Sequence, residues 1–176
     1  MPAGGHDPCD ERWALQFQIR FRWRVPVVRL SDPFPGRREL RPDQEVGSIA
    51  EIDAQALYDR GVRAIGFDAD QTLCEFYGKG IDDSLLTNIE AMRGLFEDRL
   101  CIISNCTEER RLELVEKFPL HVVSVRTKKP DPEAYRSAEE HFAIPPEQWA
   151  FVGDRLLTDI VGANRAGWHS IHVRPL

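Results

Sequence analysis

Polar side chains with catalytic chemistry follow several short apolar runs in this sequence. Each run has the length of a buried strand, and the polar residues begin where that strand would leave the core. In chain order these residues are Asp68, Asp70, Thr72, Ser104, Asn105, Lys128, Lys129, Asp154 and Asp159. Because ligands of open parallel sheets bind beyond the carboxyl ends of the strands, we expect these side chains to converge at that edge.

This set of groups suits chemistry on a phosphoryl group. Several carboxylates in one cleft repel each other unless a cation binds them, and oxygen ligands favour a hard ion such as Mg²⁺. A hydroxyl and an ammonium group hold phosphoryl oxygens. One carboxylate can attack phosphorus to form an aspartyl phosphate, and a second, two residues along, can protonate the leaving oxygen and then activate water. The residue types therefore predict a phosphomonoester hydrolase with Mg²⁺ as its cofactor.

The elements that must position these groups alternate between strands and helices from residue 48 onward. We predict five buried strands, at residues 62–68, 100–104, 120–125, 149–153 and 168–173. We predict helices after Ser48 up to Gly61, over 83–97, after the cap Thr107, from Pro132 to about Phe142, and over 156–166. The alternation predicts an α/β fold in which a parallel sheet carries helices on both faces.

The N-terminal segment has a different pattern. Hydrophobic and polar residues alternate from Trp13 to Val25, which is the period of a strand with one face in water. Residues 31–43 are rich in proline and indicate a linker. We therefore divide the chain into an N-terminal β-like extension, residues 1–43, and an α/β domain, residues 44–176.

Three interpretations of residues 13–25 stay open. Their arginines and aromatic side chains suit a peripheral contact with an anionic membrane. A long alternating strand also suits packing on the domain as an added edge strand. An exposed edge strand, finally, pairs readily with another copy of the chain, which would give a homo-oligomer.

Composition limits the class of protein. The chain has 176 residues, of which 42% are hydrophobic and 30% charged, as in a globular protein of one domain with a short extension. It contains no long apolar run and no secretory signal pattern, and its four cysteines lack the spacing of a zinc site. We expect a cytoplasmic protein in a reducing compartment. The net charge of −6 argues against a nucleic-acid partner.

Four motifs, in this order, resemble those of the haloacid dehalogenase (HAD) superfamily of phosphatases. FDADQTL matches its first motif, D-x-D-x-T, Ser104-Asn105 matches the second, Lys129-Pro130 the third, and Gly153-Asp154 with Asp159 the fourth. The resemblance covers about residues 44–176 and implies a Rossmann-like HAD fold. The intervals between the motifs are too short to hold a cap domain, so we expect an open site.

The resemblance also implies a role for each motif residue. Asp68 is implied as the nucleophile and a metal ligand, and Asp70 as the general acid and base that gives its backbone carbonyl to the metal. The other implied roles are phosphate binding by Ser104, Asn105 and Lys129, metal binding by Asp154, and support of the site by Thr72 and Asp159.

A narrower resemblance is to the YqeG-like, class IIIA branch, in the stretches LRPDQEVGSIAEIDAQALYDRGVRAIGFDADQTL and VGDRLLTDIVGANRAGWHSIHVRPL. Members of that branch and their mitochondrial relatives include phosphatidylglycerophosphate phosphatases. The resemblance implies a lipid-borne substrate, phosphatidylglycerophosphate, hydrolysed to phosphatidylglycerol and phosphate by a peripheral enzyme at the inner face of a membrane. Two alternatives stay open: a soluble phosphomonoester such as a sugar phosphate or nucleotide, and a non-enzymatic binding module with the same fold.

Overall fold

The computed structural model describes residues 35–75, 83–125 and 127–176. The alternating segment predicted at residues 13–25 lies outside these ranges, so its three interpretations stay predictions. Within the described ranges, no helix is long and apolar enough to cross a membrane.

A six-stranded sheet forms the centre of the described structure, and every pair of neighbouring strands is parallel. Its strands are β1 (Gln44–Val46), β2 (Ala64–Phe67), β3 (Leu100–Ile102), β4 (His121–Val122), β5 (Trp149–Gly153) and β6 (His169–Val173). Their order across the sheet is β1-β6-β5-β2-β3-β4. The α/β fold and its parallel sheet are thus confirmed.

The sheet has six strands where five were predicted. The additional strand, β1, has 3 residues, and its central residue Glu45 is exposed, so it has no apolar run that marks it in the sequence. It forms because its backbone pairs with β6, with Gln44 opposite Ile171. At the other edge, the strand predicted at 120–125 contracts to His121–Val122, which pairs with β3 alone.

Within the described ranges, five α-helices connect the strands. They are α1 (Ala54–Asp59), α2 (Asp83–Leu95), α3 (Glu108–Lys117), α4 (Glu133–Phe142) and α5 (Val161–Ala166). Short 3₁₀ turns cover Ile49–Glu51 and Pro146–Gln148, and a π-helical turn, Leu156–Ile160, leads into α5. The single helix predicted from Ser48 to Gly61 is therefore wrong, because it divides into a 3₁₀ turn and α1.

Side-chain caps set the starts of two of these helices. The side chain of Asp53 accepts a hydrogen bond from the backbone N–H of Ala56 and begins α1, whereas the sequence predicts Ser48 as the cap. Thr107 accepts from the N–H of Arg110 and begins α3, as predicted. Gly167, with φ 82°, ends α5 in the left-handed conformation that glycine adopts without strain.

Apolar side chains pack on both faces of the sheet. Ile65 and Phe67 of β2 belong to one core cluster, while Trp149 and Phe151 of β5 belong to a second. Alternate residues of a strand point to opposite faces, so a sheet covered on both sides has strands that are apolar throughout. This burial explains the continuous apolar runs and confirms helices on both faces.

Residues just before β1 lie against the last helix and strand. The backbone N–H of Asp43 donates to Ser170, and the Asn164 side chain donates to the backbone carbonyl of Glu39 over 2.7 Å. Glu39 also pairs with Arg165 at 3.2 Å. Glu39 and Asp43, near the end of the predicted extension, therefore contact α5 and β6. The boundary between extension and domain at residue 44 stays a prediction.

Candidate active site

The site lies at the carboxyl edge of the sheet, where β2 stands between β3 and β5. Phe67, the last residue of β2, is level with Ile102 of β3 and with Val152 of β5. The next residues therefore leave three neighbouring strands at the same height. The chain runs from β2 outward through β3 and β4 and then returns to β5 on the other side, so β2 and β5 flank the topological switch point where such sheets bind ligands.

A buried lysine joins two carboxylates at the centre of the site. Nζ of Lys129 lies 2.6 Å from Oδ1 of Asp68 and 2.9 Å from Oδ1 of Asp159. The three residues are only 4%, 7% and 1% exposed, respectively. Buried charges of this kind are stable only when they are paired and hydrogen-bonded. The three groups therefore form one electrostatic unit.

Burial and neighbouring charges shift the pKa values of Asp68, Lys129 and Asp154. Burial raises the pKa of Asp68 to about 6, although Lys129 opposes the shift and Asp159 adds to it. Burial alone lowers the pKa of Lys129, but Asp68 and Asp159 raise it above its ordinary value. Burial and the charge of Asp159 raise the pKa of Asp154 as well. The raised pKa values mean that Asp68 and Asp154 hold protons more tightly than in water, mainly because both carboxyls are removed from water.

Three carboxylates are placed to share a cation. Asp68, Asp154 and Asp159 each offer one oxygen, and these oxygens all lie within 4.8 Å of one another. Carboxylate oxygens are the ligands that Mg²⁺ prefers, and a divalent ion would compensate the negative charge that these three acids bring together. The residues present therefore fit a Mg²⁺ ion. The implied metal contact by the backbone carbonyl of Asp70 stays a prediction.

Asp159 occupies its position because the local backbone makes room for it. Its Oδ2 accepts from the backbone N–H of Arg155 at 3.0 Å, and its Oδ1 accepts from the hydroxyl of Thr158 at 3.2 Å. A side chain on Gly153 would place its Cβ 2.5 Å from the Cβ of Asp159, so only glycine permits this approach. The π-helical turn that contains Asp159 thus brings it to Lys129, and π-helical turns are frequent at functional sites.

The loop after β2 is folded tightly under the site. The hydroxyl of Thr72 donates to Oδ1 of Asp154 over 3.4 Å, which is a contact with a candidate metal ligand. Gln71 has φ 64°, in the left-handed region where asparagine is several-fold enriched over most side chains. The sulfhydryl of Cys74 donates to the backbone carbonyl of Ala69 over 3.6 Å. These contacts bend the chain so that Asp68 and Asp70 face one cleft.

Asn105 holds the backbone of Lys129. Its amide nitrogen donates to the carbonyl of Lys129 over 2.9 Å, and its amide oxygen accepts from the Lys129 N–H over 2.8 Å. This reciprocal pair fixes the position of the lysine from the neighbouring strand end. The geometry gives Asn105 a positioning contact, while its predicted contact with phosphate stays a prediction.

The site opens into a cleft of about 530 Å³. One wall is formed by the strand ends and the other by the first turns of α3. The lining residues are Asp68, Asp70, Ser104, Asn105, Cys106, Thr107, Glu109, Arg110, Glu113, Lys129, Arg155, Thr158 and Asp159. The predicted catalytic and phosphate-binding residues therefore share one cleft, Asp154 belongs to the carboxylate group beside it, and Thr72 contacts Asp154.

Arg110 is a site residue that the sequence analysis missed. Its Nη2 lies 2.8 Å from Oδ1 of Asp70, and its Nη1 lies 2.7 Å from Oε2 of Glu113. These acids raise the pKa of the guanidinium, with the Glu113 hydrogen bond as the main cause. The helix cap predicted at Thr107 could have indicated this residue. A helix that begins there has its first turn, with Arg110, beside the carboxyl edge of the sheet.

Lys128 and His172 differ in their relation to the site. Lys128, the neighbour of Lys129, is exposed and does not line the cleft. Nε2 of His172, which received no role from the sequence, lies 3.0 Å from the backbone oxygen of Asp154. This imidazole supports the backbone that carries a candidate metal ligand.

Taken together, the geometry suits nucleophilic attack on a phosphoryl group. The Asp68 carboxylate is oriented by an ammonium group, beside two further carboxylates that can hold a divalent cation. A second acid, Asp70, and a buried hydroxyl, Ser104, line the same cleft. Charge-assisted donors and a cation placed at one strand edge stabilise the negative charge that develops in phosphoryl transfer.

Comparison with known proteins gives a consistent pattern. The sequence profile of a family described as mitochondrial PGP phosphatase matches residues 25–175. The protein named probable phosphatase YqeG of Bacillus subtilis (strain 168) is 33% identical over 138 residues, which cover 77% of this chain and 77% of that protein.

A plant relative and a solved structure extend this comparison. Phosphatidylglycerophosphate phosphatase 1, chloroplastic/mitochondrial, of Arabidopsis thaliana is 29% identical over 148 residues, which cover 80% of this chain but 42% of the plant protein. The chain thus spans less than half the length of that relative. A crystal structure of an uncharacterized protein from Listeria monocytogenes serotype 4b has a TM-score of 0.52 at 20% identity, covering 63% of this chain and 78% of that one, and so shows the same fold.

Proposed function

Because the chain belongs to the mitochondrial PGP phosphatase family, we propose that it hydrolyses phosphatidylglycerophosphate to phosphatidylglycerol and phosphate. The chain is a phosphatase of the HAD superfamily. The observation that carries the chemical part of the proposal is the buried contact of 2.6 Å between Lys129 and Asp68 at the end of β2.

In the first step, an oxygen of Asp68 attacks the terminal phosphorus, and the bond from phosphorus to the glycerol oxygen breaks. Asp70 gives its proton to that oxygen, so phosphatidylglycerol leaves with a protonated hydroxyl group and keeps its anionic phosphodiester. The phosphoryl group is then an acyl phosphate on Asp68. Mg²⁺, when bound by Asp68 and Asp154, neutralises the carboxylates and the phosphoryl oxygens.

In the second step, Asp70 takes a proton from a water molecule that attacks the same phosphorus. The bond between phosphorus and Asp68 breaks, which releases phosphate and regenerates the carboxylate. Lys129 and Ser104 are proposed to hold the phosphoryl oxygens through both steps. The Lys129 ammonium has three donors, of which two go to Asp68 and Asp159, and we assign the third to a phosphoryl oxygen.

Two exposed leucines support a lipid-borne substrate over a soluble one. Leu156 is 41% exposed and Leu157 is 63% exposed, and they stand between Arg155 and Thr158, which both line the cleft. In phosphatidylglycerophosphate, one glycerol and one phosphodiester separate the terminal phosphate from the part that carries the acyl chains. The rim of the cleft must therefore approach the membrane surface when this phosphate reaches Asp68, and apolar side chains at such a rim insert favourably.

We also propose that the enzyme attaches peripherally to the inner face of a membrane. Residues 13–25, with their arginines and aromatic side chains, remain the proposed second contact with anionic lipid. Packing of this segment on the domain as an edge strand and pairing of the segments between two copies are the alternatives, and the oligomeric state of the full chain in solution distinguishes pairing from lipid contact.

A panel of substrates tests the proposed function. Phosphate release is measured from phosphatidylcholine vesicles that contain phosphatidylglycerophosphate, and from soluble sugar phosphates and nucleotides, with Mg²⁺ and with EDTA. We expect Mg²⁺-dependent release from the vesicles at a rate well above that from the soluble panel. Activity confined to the soluble panel would refute the lipid substrate, and no turnover of any substrate by the folded protein would support the binding-module alternative.

A further inference from the structure

We propose that Arg110 forms a subsite for a second phosphate group, so that this enzyme selects phosphomonoesters that carry a further anionic phosphate. The inference rests on the proposed function, since it concerns the part of the substrate that leaves with the alcohol. Its ligand is the phosphodiester that links the two glycerols of phosphatidylglycerophosphate, or a phosphate in the same position of another substrate.

The position of Arg110 follows from its contact with Asp70. Asp70 is proposed to give its proton to the leaving oxygen, so the leaving group must pass close to this carboxyl. Arg110 touches Asp70 at 2.8 Å and lines the same cleft, while Lys129 and Ser104 serve the transferred phosphoryl group. Arg110 therefore stands on the side of the leaving group.

The charges around this part of the cleft favour a cationic contact. Glu109 and Glu113 of α3 line the cleft beside Asp70, and these carboxylates would repel an anionic leaving group. Arg110 is the cationic residue that α3 contributes to the lining. Its planar guanidinium can donate two parallel hydrogen bonds to a phosphate, which a lysine cannot do.

Glu113 holds the guanidinium in place before the substrate arrives. It bonds Nη1 of Arg110 at 2.7 Å, and the arginine side chain is only 15% exposed. An arginine that is already oriented loses little conformational freedom when it binds phosphate. On the same helix, Arg111 pairs with Glu108 at 2.6 Å with similar spacing but does not line the cleft. Arg111 is therefore the matched control.

The test compares two soluble substrates that differ in the second phosphate. These are glycerol 3-phosphate and glycerophosphoglycerophosphate, the deacylated headgroup. We expect Arg110→Gln to lower the ratio of kcat/KM for the second substrate to that for the first by roughly 10- to 100-fold, mainly through KM, because one charge-assisted contact is lost. Arg110→Lys should recover part of the ratio, and Arg111→Gln should leave it unchanged.

A role for Arg110 limited to holding Asp70 or α3 predicts a different result. Both substrates would then lose kcat/KM equally in Arg110→Gln, and an unchanged ratio would overturn the subsite. If Arg110→Gln removes turnover of both substrates, the affinities of the two ligands are compared by calorimetry in the Asp68→Asn background, with and without Arg110→Gln. The same selective loss supports the subsite, and an equal loss overturns it.

The test also separates this inference from the proposed function. Fructose 1,6-bisphosphate and fructose 6-phosphate are run as a pair without any glycerol lipid. If the wild-type protein does not hydrolyse phosphatidylglycerophosphate but prefers the bisphosphate, and Arg110→Gln removes that preference, the subsite stands and the lipid substrate fails. If the lipid is hydrolysed and Arg110→Gln changes the kcat/KM ratio of neither substrate pair, the subsite is refuted and the proposed function stands.

Discussion

Nζ of Lys129 lies 2.6 Å from Oδ1 of Asp68, and both side chains are almost completely buried. The contact joins residues that are far apart in the sequence, one directly after β2 and the other in the loop that follows β4. It orients the carboxylate that we propose as the nucleophile and compensates the charge of a side chain that is almost completely buried. Removing Lys129 leaves two buried carboxylates, Asp68 and Asp159, without their shared cation.

Lys129→Met should therefore destabilise the protein as well as inactivate it. We expect the free energy of unfolding in urea, measured in EDTA, to fall by about 3–5 kcal/mol because Asp68 and Asp159 lose their shared cation. Lys128→Met is the control, since Lys128 is exposed and does not line the cleft. Equal stability of the two variants would show that the buried pair contributes nothing to folding.

Binding of Mg²⁺ should depend on pH through Asp68. The pKa of this carboxyl is about 6 in the folded protein without metal, above the ordinary value of 3.8. The folded state then binds this proton more tightly than the unfolded state, so the contribution of Asp68 to metal-free stability falls as pH rises from about 4 to about 6. Mg²⁺ must displace the same proton, and its affinity should fall roughly tenfold per pH unit below that pKa.

Calorimetric titration with Mg²⁺ at pH 5.0, 6.0 and 7.5 measures this dependence. Asp68→Asn serves as the control, because an amide has no proton for the metal to displace and should show a weaker dependence on pH. Equal wild-type affinities at pH 5.0 and pH 7.5 would exclude Asp68 as a ligand whose pKa is raised in this way.

Gly153→Ala tests the close approach of Asp159 to β5. A Cβ at residue 153 would lie 2.5 Å from the Cβ of Asp159, and the displacement needed should cost about 1–3 kcal/mol of stability. Gly94→Ala in α2 is a matched control, because nothing lies within 4 Å of its added Cβ, and it should raise stability by up to about 1 kcal/mol. Thermal denaturation measures both changes, and a neutral Gly153→Ala would contradict the packing described.

Leu157→Ser tests the proposed contact of the cleft rim with lipid. Burial of a leucine side chain contributes about 1.5–3 kcal/mol, so phosphate release from vesicles should fall by roughly tenfold or more. Release from the soluble headgroup glycerophosphoglycerophosphate should stay within about twofold of wild type. Val115→Ser on α3, also at an exposed apolar residue, should affect neither substrate. Equal loss on both substrates would assign Leu157 to the fold and not to the membrane.

Much of the fold could be predicted because the sheet is buried on both faces. The run WAFVG forms β5 over Trp149–Gly153 as predicted, and every residue of this strand is buried. Such strands end at the boundary of the apolar core. The polar residues that directly follow them therefore identify the carboxyl edge of the sheet, where the site lies. The convergence of Asp68, Ser104 and Lys129 in one cleft follows from that rule.

The parts that were missed depend on tertiary contacts that leave no local pattern. β1 exists because its backbone pairs with β6, and its burial is too incomplete to give an apolar run. The pair of Arg110 and Asp70 joins positions 40 residues apart, and α3 carries several charged residues among which the sequence does not distinguish. The predicted helix over 156–166 begins as a π-helical turn, and Asp159 reaches Lys129 from that turn.

Chemical trapping of the phosphorylated enzyme tests the central claim most directly. The protein is mixed with phosphatidylglycerophosphate and Mg²⁺, quenched in acid and treated with borohydride, which reduces an aspartyl phosphate to homoserine, and the peptides are then analysed by mass spectrometry. We predict homoserine at position 68, absent when EDTA replaces Mg²⁺ and absent in Asp68→Asn. Homoserine at another position, or Asp68→Asn protein that still turns over the lipid, would contradict the account.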